Sequence, residues 1–295
     1  IMDGTELTMK RTGAAAAVAT DHLAVEDASS LGIIGAGVQA YTQLEAIAEI
    51  RDIETVVVSD LDEDRVRRFI ETFEDRFTIR AGPVDEAAGC DVLSTVTPVE
   101  DPIVQAADVG DHTHINAMGA DAEGKHELAD ELLLDAKVVI DDHEQCTHSG
   151  EINVPYAAGT LTDDDIYGEI GRIVTGKIAG RTDDDGVTVF DSTGLAIQDV
   201  AAAHVVYECA DDNDNGYPFD LLGLFQGIGL AHDAATPETG RMPNMVFLYR
   251  RAILDYWAEH EETLGAVVTH VLVHEIGHHF GLSDDDMYGI EDRTP

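Results

Sequence analysis

Residues 31–40 read Leu31-Gly32-Ile33-Ile34-Gly35-Ala36-Gly37-Val38-Gln39-Ala40, and this stretch decides the fold. A short apolar run ends on a Gly-x-Gly-x-x-Ala spacing, and an amphipathic stretch comes next over 38–50. A buried strand that enters a glycine turn and then a helix is the opening of a βαβ unit. Gly35 permits the tight turn. Gly37 lets the backbone approach a diphosphate, whose charge meets the N-terminus of the helix. The next β-branched run, 55–59, ends at Asp60. A carboxylate at that place binds ribose hydroxyls and repels a 2′-phosphate, so the pattern predicts NAD rather than NADP.

Working outward, residues 91–96, 113–117, 137–141 and 187–191 read as further buried strands, and 63–73 as a helix. Strand–helix–strand alternation predicts an α/β protein with a Rossmann-type doubly wound parallel sheet. A polar, turn-rich stretch from Glu208 to Gly216 interrupts it. We therefore place an NAD-binding domain at residues 1–212 and a small α+β domain at 213–295, with helices over 249–261 and 264–280.

The second part carries its own motif. His274-Glu275-Ile276-Gly277-His278 stands in a helical context. A spacing of i, i+4 puts two imidazoles on one helix face, where they can share Zn²⁺. Glu275 beside them is placed as general base toward a water that the ion activates. Gly281 can end the helix, and the returning chain offers Asp284 as third ligand, with Asp285 and Asp286 as rivals. His270 and His279 read as packing or supporting residues, because ligands at i, i+4 and i+8 would not converge on one ion.

Lys+Arg number 17 against 59 Asp+Glu, a formal net charge of −42 over 295 residues. Such a surface repels phosphate backbones, which excludes nucleic acid as a partner. Apolar residues make up 44% of the chain, enough for a core. No apolar run reaches the roughly 18–20 residues of a membrane helix, and no signal peptide opens the chain. The acid is distributed rather than gathered in a tail, and the only Lys residues are Lys10, Lys125, Lys137 and Lys177. This is the style of a salt-accumulating archaeal cytoplasm, where a Debye length of about 3 Å at 1 M screens self-repulsion. Cys90, Cys146 and Cys209 show no Cys-x-x-Cys spacing and fit a reducing compartment. The chain opens on Ile1 and reads as a fragment.

Several stretches in order carry a family resemblance. They are Met9-Lys-Arg-Thr-Gly-Ala-Ala-Ala16, the 31–40 fingerprint, Ile115-Asn-Ala-Met-Gly-Ala-Asp-Ala-Glu-Gly-Lys-His-Glu-Leu128, His148-Ser-Gly-Glu-Ile152 and Val189-Phe-Asp-Ser-Thr-Gly-Leu-Ala-Ile-Gln-Asp199. With them, residues 1–224 resemble the ornithine cyclodeaminase/mu-crystallin family, and within it the archaeal alanine dehydrogenases. The resemblance implies an NAD-dependent oxidoreductase of small amino acids. It implies NAD contacts at Arg11 or Thr12, at Val38, Gln39 and Asp60, at Thr97, at Asn116, Ala117 and Met118, and at Lys125 and Ser192. It implies a catalytic carboxylate at Asp121, which would take up the amino proton as hydride leaves the α-carbon. It also implies a homodimer. In that family a segment upstream of Met2 supplies the substrate-binding cations, a catalytic Lys and most of the dimer interface. That segment is expected to be missing here, with Arg11 the remaining cation and amino-acid oxidation impaired.

Residues 220–292 resemble the minimal zincin-like metallopeptidases through Leu222-Gly-Leu-Phe-Gln-Gly227, Met242-Pro-Asn-Met-Val-Phe-Leu-Tyr-Arg-Arg251 and Val273-His-Glu-Ile-Gly-His-His-Phe-Gly-Leu-Ser-Asp284. The resemblance implies a peptide substrate and a strand near 245–249 beside the metal helix. The two resemblances share 220–224, and both lack what normally precedes them. The chain therefore reads as a chimera, formed by recombination or in sequence assembly, rather than an evolved bifunctional enzyme. Two alternatives stand beside the dehydrogenase reading: a working zinc peptidase with a passenger Rossmann domain, and a non-catalytic protein that binds NAD and metal.

Overall fold

A computed structural model describes residues 4–212, 223–226, 245–248 and 263–279. The chain divides into two compact units, Met2–Tyr207 and Glu208–Pro295.

The first unit opens with α1 (Gly4–Leu23) and continues β1 (Ser30–Ile34), α2 (Val38–Ala48), β2 (Thr55–Ser59), α3 (Glu63–Phe73), β3 (Thr78–Ala81), α4 (Val84–Ala88) and β4 (Val92–Thr95). Next come β5 (His114–Ala117), α5 (Asp130–Asp135), β6 (Lys137–Ile140), α6 (His143–Ser149), α7 (Asn153–Ala158), β7 (Ile166–Glu169), α8 (Ile170–Val174), β8 (Thr188–Asp191) and α9 (Ala196–Asp212). The strands form one sheet in the order β3-β2-β1-β4-β5-β8-β6-β7. Every pairing in it is parallel.

Helices cover both faces, which is why the inner strands read as continuous apolar runs rather than alternating ones. Alternation survives in where the side chains go. Leu31, Ile33, Val56, Val58 and Val92 join one core with Leu44, Phe69 and Phe73. Ile34, Val57 and Leu93 face the other, with Ile115, Leu128 and Val189. In β5 one face is polar. Asn116 donates to Thr20 of α1 at 2.9 Å, and its Oδ1 meets the His114 ring at 3.1 Å. Burial pushes His114 down to about 3, so this ladder is built on a neutral imidazole.

The six strands expected from sequence are all present. The two strands of this sheet that it did not predict, β3 and β7, are the edges. Thr78-Ile-Arg-Ala81 and Ile166-Tyr-Gly-Glu169 are short, polar and partly or fully exposed, so they lack the apolar run by which a buried strand is recognised.

In the second unit β9 (Gly223–Gln226) pairs antiparallel with β10 (Met245–Leu248). The helix Leu264–His279 buries Val267 and Val271. The strand anticipated near 245–249 is thus present. The helix anticipated over 249–261 lies outside the described residues.

Candidate functional site

The strand order reverses direction at β1, whose neighbours are β2 and β4. Ligands of open α/β sheets bind in the crevice at such a switch point, beyond the carboxyl ends of the strands. Here that crevice is lined by the turn after β1 and the loop after β4. Gly35 has φ +101°, and a Cβ on it would lie 2.9 Å from both Thr97 Cγ2 and Val96 O. Only glycine satisfies this backbone and this closeness together.

The turn is shaped for an anion. Gly37 is the N-cap of α2 and supplies no side-chain hydrogen bond to the helix, whereas Asp62 caps α3 by accepting from Asp64 N and Arg65 N. The first N–H groups of α2 are therefore without a side-chain cap, and a Cβ on Gly37 would find nothing within 4 Å. Gln39 Oε1 is buried there without a partner among the described residues. The uncapped N–H groups and the open space at Gly37 fit a diphosphate, whereas the Gln39 oxygen is an acceptor and calls for a donor such as a hydroxyl. Asp60, just after β2, has a role the sequence does not reveal. Its Oδ2 accepts from Ala36 N at 2.6 Å and its Oδ1 from Asp62 N at 2.8 Å, so it also fixes the turn.

Beside the turn lies a cavity of about 310 Å³. Its lining gathers Arg11, Thr12, Gln39, Thr97, Met118, Asp121, Lys125 and Ser192 from sequence positions far apart. Gly35, Gly37, Val38 and Asp60 belong to the turn and strand ends nearby. Asn116 and Ala117 do not line the cavity. They are buried in β5, and the Asn116 amide is engaged with Thr20 and His114.

The cations of the lining are paired. Arg11 Nε lies 3.1 Å from Asp199 of α9, and Lys125 Nζ lies 2.5 Å from Asp121. The Asp121 side chain is 67% exposed, as a group that meets a solute must be. Thr12 Oγ1 donates back to Thr8 O at 2.7 Å, so its hydroxyl is held along α1.

Behind the lining stand buried acids. Asp141 Oδ2 accepts from Ser192 Oγ and Gly194 N, which holds the loop after β8. Glu127 accepts from Thr97 N, Thr97 Oγ1 and Gly119 N. Glu151 Oε1 accepts from Glu127 N and Leu128 N, and Asp191 accepts from Glu151 N and Ile152 N. Burial pushes Glu127 and Asp191 each up to about 7. Burial, and then the Glu127 charge, raises Glu151 well above the carboxylate range. In the sequence Glu127, Glu151 and Asp191 stand inside the family motifs and Asp141 at the end of an expected strand, and none of them carries an expected role.

For the second motif, the helix Leu264–His279 includes positions 274, 275 and 278, and 267, 271, 274 and 278 share one helical stripe. The side chains of His274, Glu275 and His278, and all of Asp284, lie outside the described residues. Among the described residues no group of three or more metal-ligating side chains is assembled.

A parallel doubly wound sheet with a glycine turn and an uncapped helix at its switch point defines the Rossmann class of α/β protein. Within that class the chain belongs to the ornithine cyclodeaminase/mu-crystallin family, whose sequence model matches residues 1–214. Residues 195–293 match the zincin-like metallopeptidase model. Alanine dehydrogenase of Archaeoglobus fulgidus is 48% identical over 211 residues, 71% of this chain and 66% of that protein. A Delta(1)-pyrroline-2-carboxylate reductase of Bacillus cereus is 34% identical over 222 residues, 73% of this chain and 68% of that protein. Among solved structures, an archaeal alanine dehydrogenase dimer with bound NAD superposes with a TM-score of 0.70 at 47% identity, covering 73% of this chain and 68% of that one. The Thermococcus litoralis Delta(1)-pyrroline-2-carboxylate reductase, in complex with NADH and L-proline, gives 0.69 at 36% identity, covering 72% and 67%. The chain thus spans about two thirds of the length of the curated relatives it matches.

Proposed function

We propose that the first unit binds NAD across the Gly35–Gly37 turn and is an NAD-dependent oxidoreductase of small amino acids or their imines, of alanine dehydrogenase type. The observation that carries this reading is the junction of the β1 turn with the Thr97 loop at the switch point, opening on a cavity lined by eight of the residues expected to touch cofactor or substrate. When bound, NAD accepts hydride from the α-carbon of the amino acid. The protein's own part is to seat the diphosphate on the N–H groups of α2, to hold the ribose at Asp60, and to exchange the amino proton at the carboxylate of Asp121. The Lys125 ammonium lies 2.5 Å from that carboxylate and holds it in the cavity lining.

Arg11 and Lys125 are both committed to acids, so a substrate carboxylate entering the described cavity meets no unpaired cation in its lining. We therefore assign impaired oxidation of amino acids, which turnover of L-alanine with NAD at a rate of about 10 s⁻¹, the ordinary enzyme scale, would contradict. The family assembly, a homodimer, is part of the same proposal, as is a salt-rich cytoplasm. Among the described residues no helix is long and apolar enough to cross a membrane.

The cofactor preference provides the direct test. Beside Asp60 the first turn of α3 carries Glu63 and Asp64, while Arg65 and Arg67 are paired with Asp62 and Asp64. In fluorescence titrations in molar KCl, NADH should bind well ahead of NADPH. Asp60→Ser should narrow the gap about tenfold, the equivalent of ~1.4 kcal/mol. Equal binding of the two cofactors by the unaltered chain would refute the assignment.

A second reading concerns residues 213–295, which we assign as a separate zincin-like domain carried in the same chain with no shared reaction. Its support is the His274-Glu-Ile-Gly-His278 spacing on a helix, together with the family match. His274, His278 and Asp284 would hold Zn²⁺, and Glu275 would act as base toward a peptide substrate. Metal analysis of the purified chain should give about one zinc per chain, as a single closed ligand set implies, and none after His274→Ala. A metal-free unaltered chain excludes this site.

A further inference from the structure

Residues 119–127 form a loop between β5 and α5, and Asp121 and Lys125 are its members in the cavity lining. The loop is closed by its own last residue. Glu127 is fully buried, and its Oε2 accepts from Gly119 N, eight residues earlier, at 3.1 Å. The same carboxyl reaches across to the loop after β4, where Oε1 accepts from Thr97 N at 2.8 Å and from Thr97 Oγ1 at 2.6 Å. The two loops meet backbone to backbone. A Cβ on Gly119 would lie 2.3 Å from Thr97 O and 2.4 Å from Glu127 Oε2, so no larger residue fits between them.

Glu127 is itself held at the rear. Its carbonyl accepts from Ile103 N and Val104 N, and its N–H donates to Glu151 Oε1. The middle of the loop is clamped by Asn153, which accepts from Gly124 N and donates to Lys125 O. The side chain of Glu127 is therefore the joint between a loop fixed to the sheet and a loop that presents Asp121 and Lys125.

We propose that Glu127 is a positioning residue of the cofactor crevice: it ties Thr97 to Gly119 and so sets the place of the Asp121–Lys125 loop against the glycine turn. This rests on the cofactor reading above. Three donors converge on one carboxyl, and a carboxylate can accept all three. An amide cannot, because its NH₂ must face one of the donors. Glu127→Gln can keep both Thr97 bonds on its single oxygen but leaves Gly119 N–H against a donor. Glu127→Ala removes all three acceptors and leaves a void.

The experiment is NADH titration of the full chain in molar KCl, with nicotinamide fluorescence and thermal midpoint recorded together. We expect the unaltered chain to bind NADH, Glu127→Gln to bind three- to tenfold more weakly with a smaller emission blue shift, and Glu127→Ala to bind more than tenfold more weakly. The Gln variant should keep a thermal midpoint close to that of the unaltered chain, and it decides the matter even where the Ala variant does not fold. Glu127→Gln with unaltered affinity and emission overturns the positioning role alone. A chain that binds no NADH before any substitution overturns the cofactor reading, and this inference falls with it.

Discussion

Gly35→Val should weaken NADH binding about 100-fold. The residue sits at φ +101°, where an L-amino acid is strained by roughly 1–2 kcal/mol, and that strain alone approaches a factor of ten. The new side chain would also start 2.9 Å from Thr97 Cγ2 and Val96 O, so the loops after β1 and β4 must part for it. Gly37→Ala separates ligand effects from folding effects. Gly37 has φ −78° and open space where its Cβ would be. It should melt as the unaltered chain does and still bind NADH less tightly, because the added methyl stands in the path of the diphosphate. Fluorescence titration beside thermal melting reads both, and a Gly35→Val chain that binds NADH normally would remove the glycine turn from the site.

Glu151→Gln should stabilise the protein at pH 8 and flatten its pH dependence. Burial holds Glu127 and Asp191 up at about 7 and Glu151 well above its usual range, whereas the unfolded chain releases these protons near pH 4. Between those limits the folded state binds more protons than the unfolded one, so stability falls as pH rises. For Glu127 and Asp191 the contribution is complete below about pH 4 and is lost through about pH 7, on the order of a few kcal/mol per group, and for Glu151 it is lost as pH rises through its own raised value. Asp91 and Asp185, whose carboxyls are held low by hydrogen bonds and by Lys137, act with the opposite sign but only in acid. Glutamine at 151 keeps an oxygen for Glu127 N and Leu128 N, and its amide nitrogen takes the place of Oε2, which has no partner among the described residues. Melting curves at pH 5 and pH 8 in molar KCl should show a pH-induced drop smaller by on the order of 5 °C in the variant. Salt at that strength screens the surface but not the buried acids. Parallel pH dependence in the two proteins would mean that Glu151 is already ionised in the fold.

The inner sheet was legible because its strands are buried on both faces. Each carries its own apolar run, and the turn at Gly35 marks the passage from the first strand into its helix. The edge strands are half solvated and carry no such mark. The helix α1 escaped for a related reason. Its buried positions are mainly small, Gly13, Ala16, Ala17 and Ala19 with Thr12 and Thr20, so no stripe of large apolar residues betrays it. At the site, sequence spacing finds groups that act through local geometry, such as the glycine turn. It does not find groups that act across the fold. Glu127 is thirty residues from Thr97, and Asp141 fifty-one from Ser192. Their partners become visible only when the sheet brings the loops together.

An open sheet leaves a row of unpaired peptide groups along each outermost strand, and such rows invite another chain to add itself. Here both margins are poor templates. β3 is four residues long, carries Arg80 paired with Glu86, and stops at Gly82-Pro83. β7 is as short, is out of register with β6 between Val138 and Val139, and bends at Gly168, while Lys137 sits over the Tyr167 ring. Wherever salt screens the surface charge, mutual repulsion gives little protection against self-association. Resistance to fibrous or edge-to-edge growth then falls to these blunted borders, and lengthening either into a regular apolar strand would turn a discrete unit into a polymerising one.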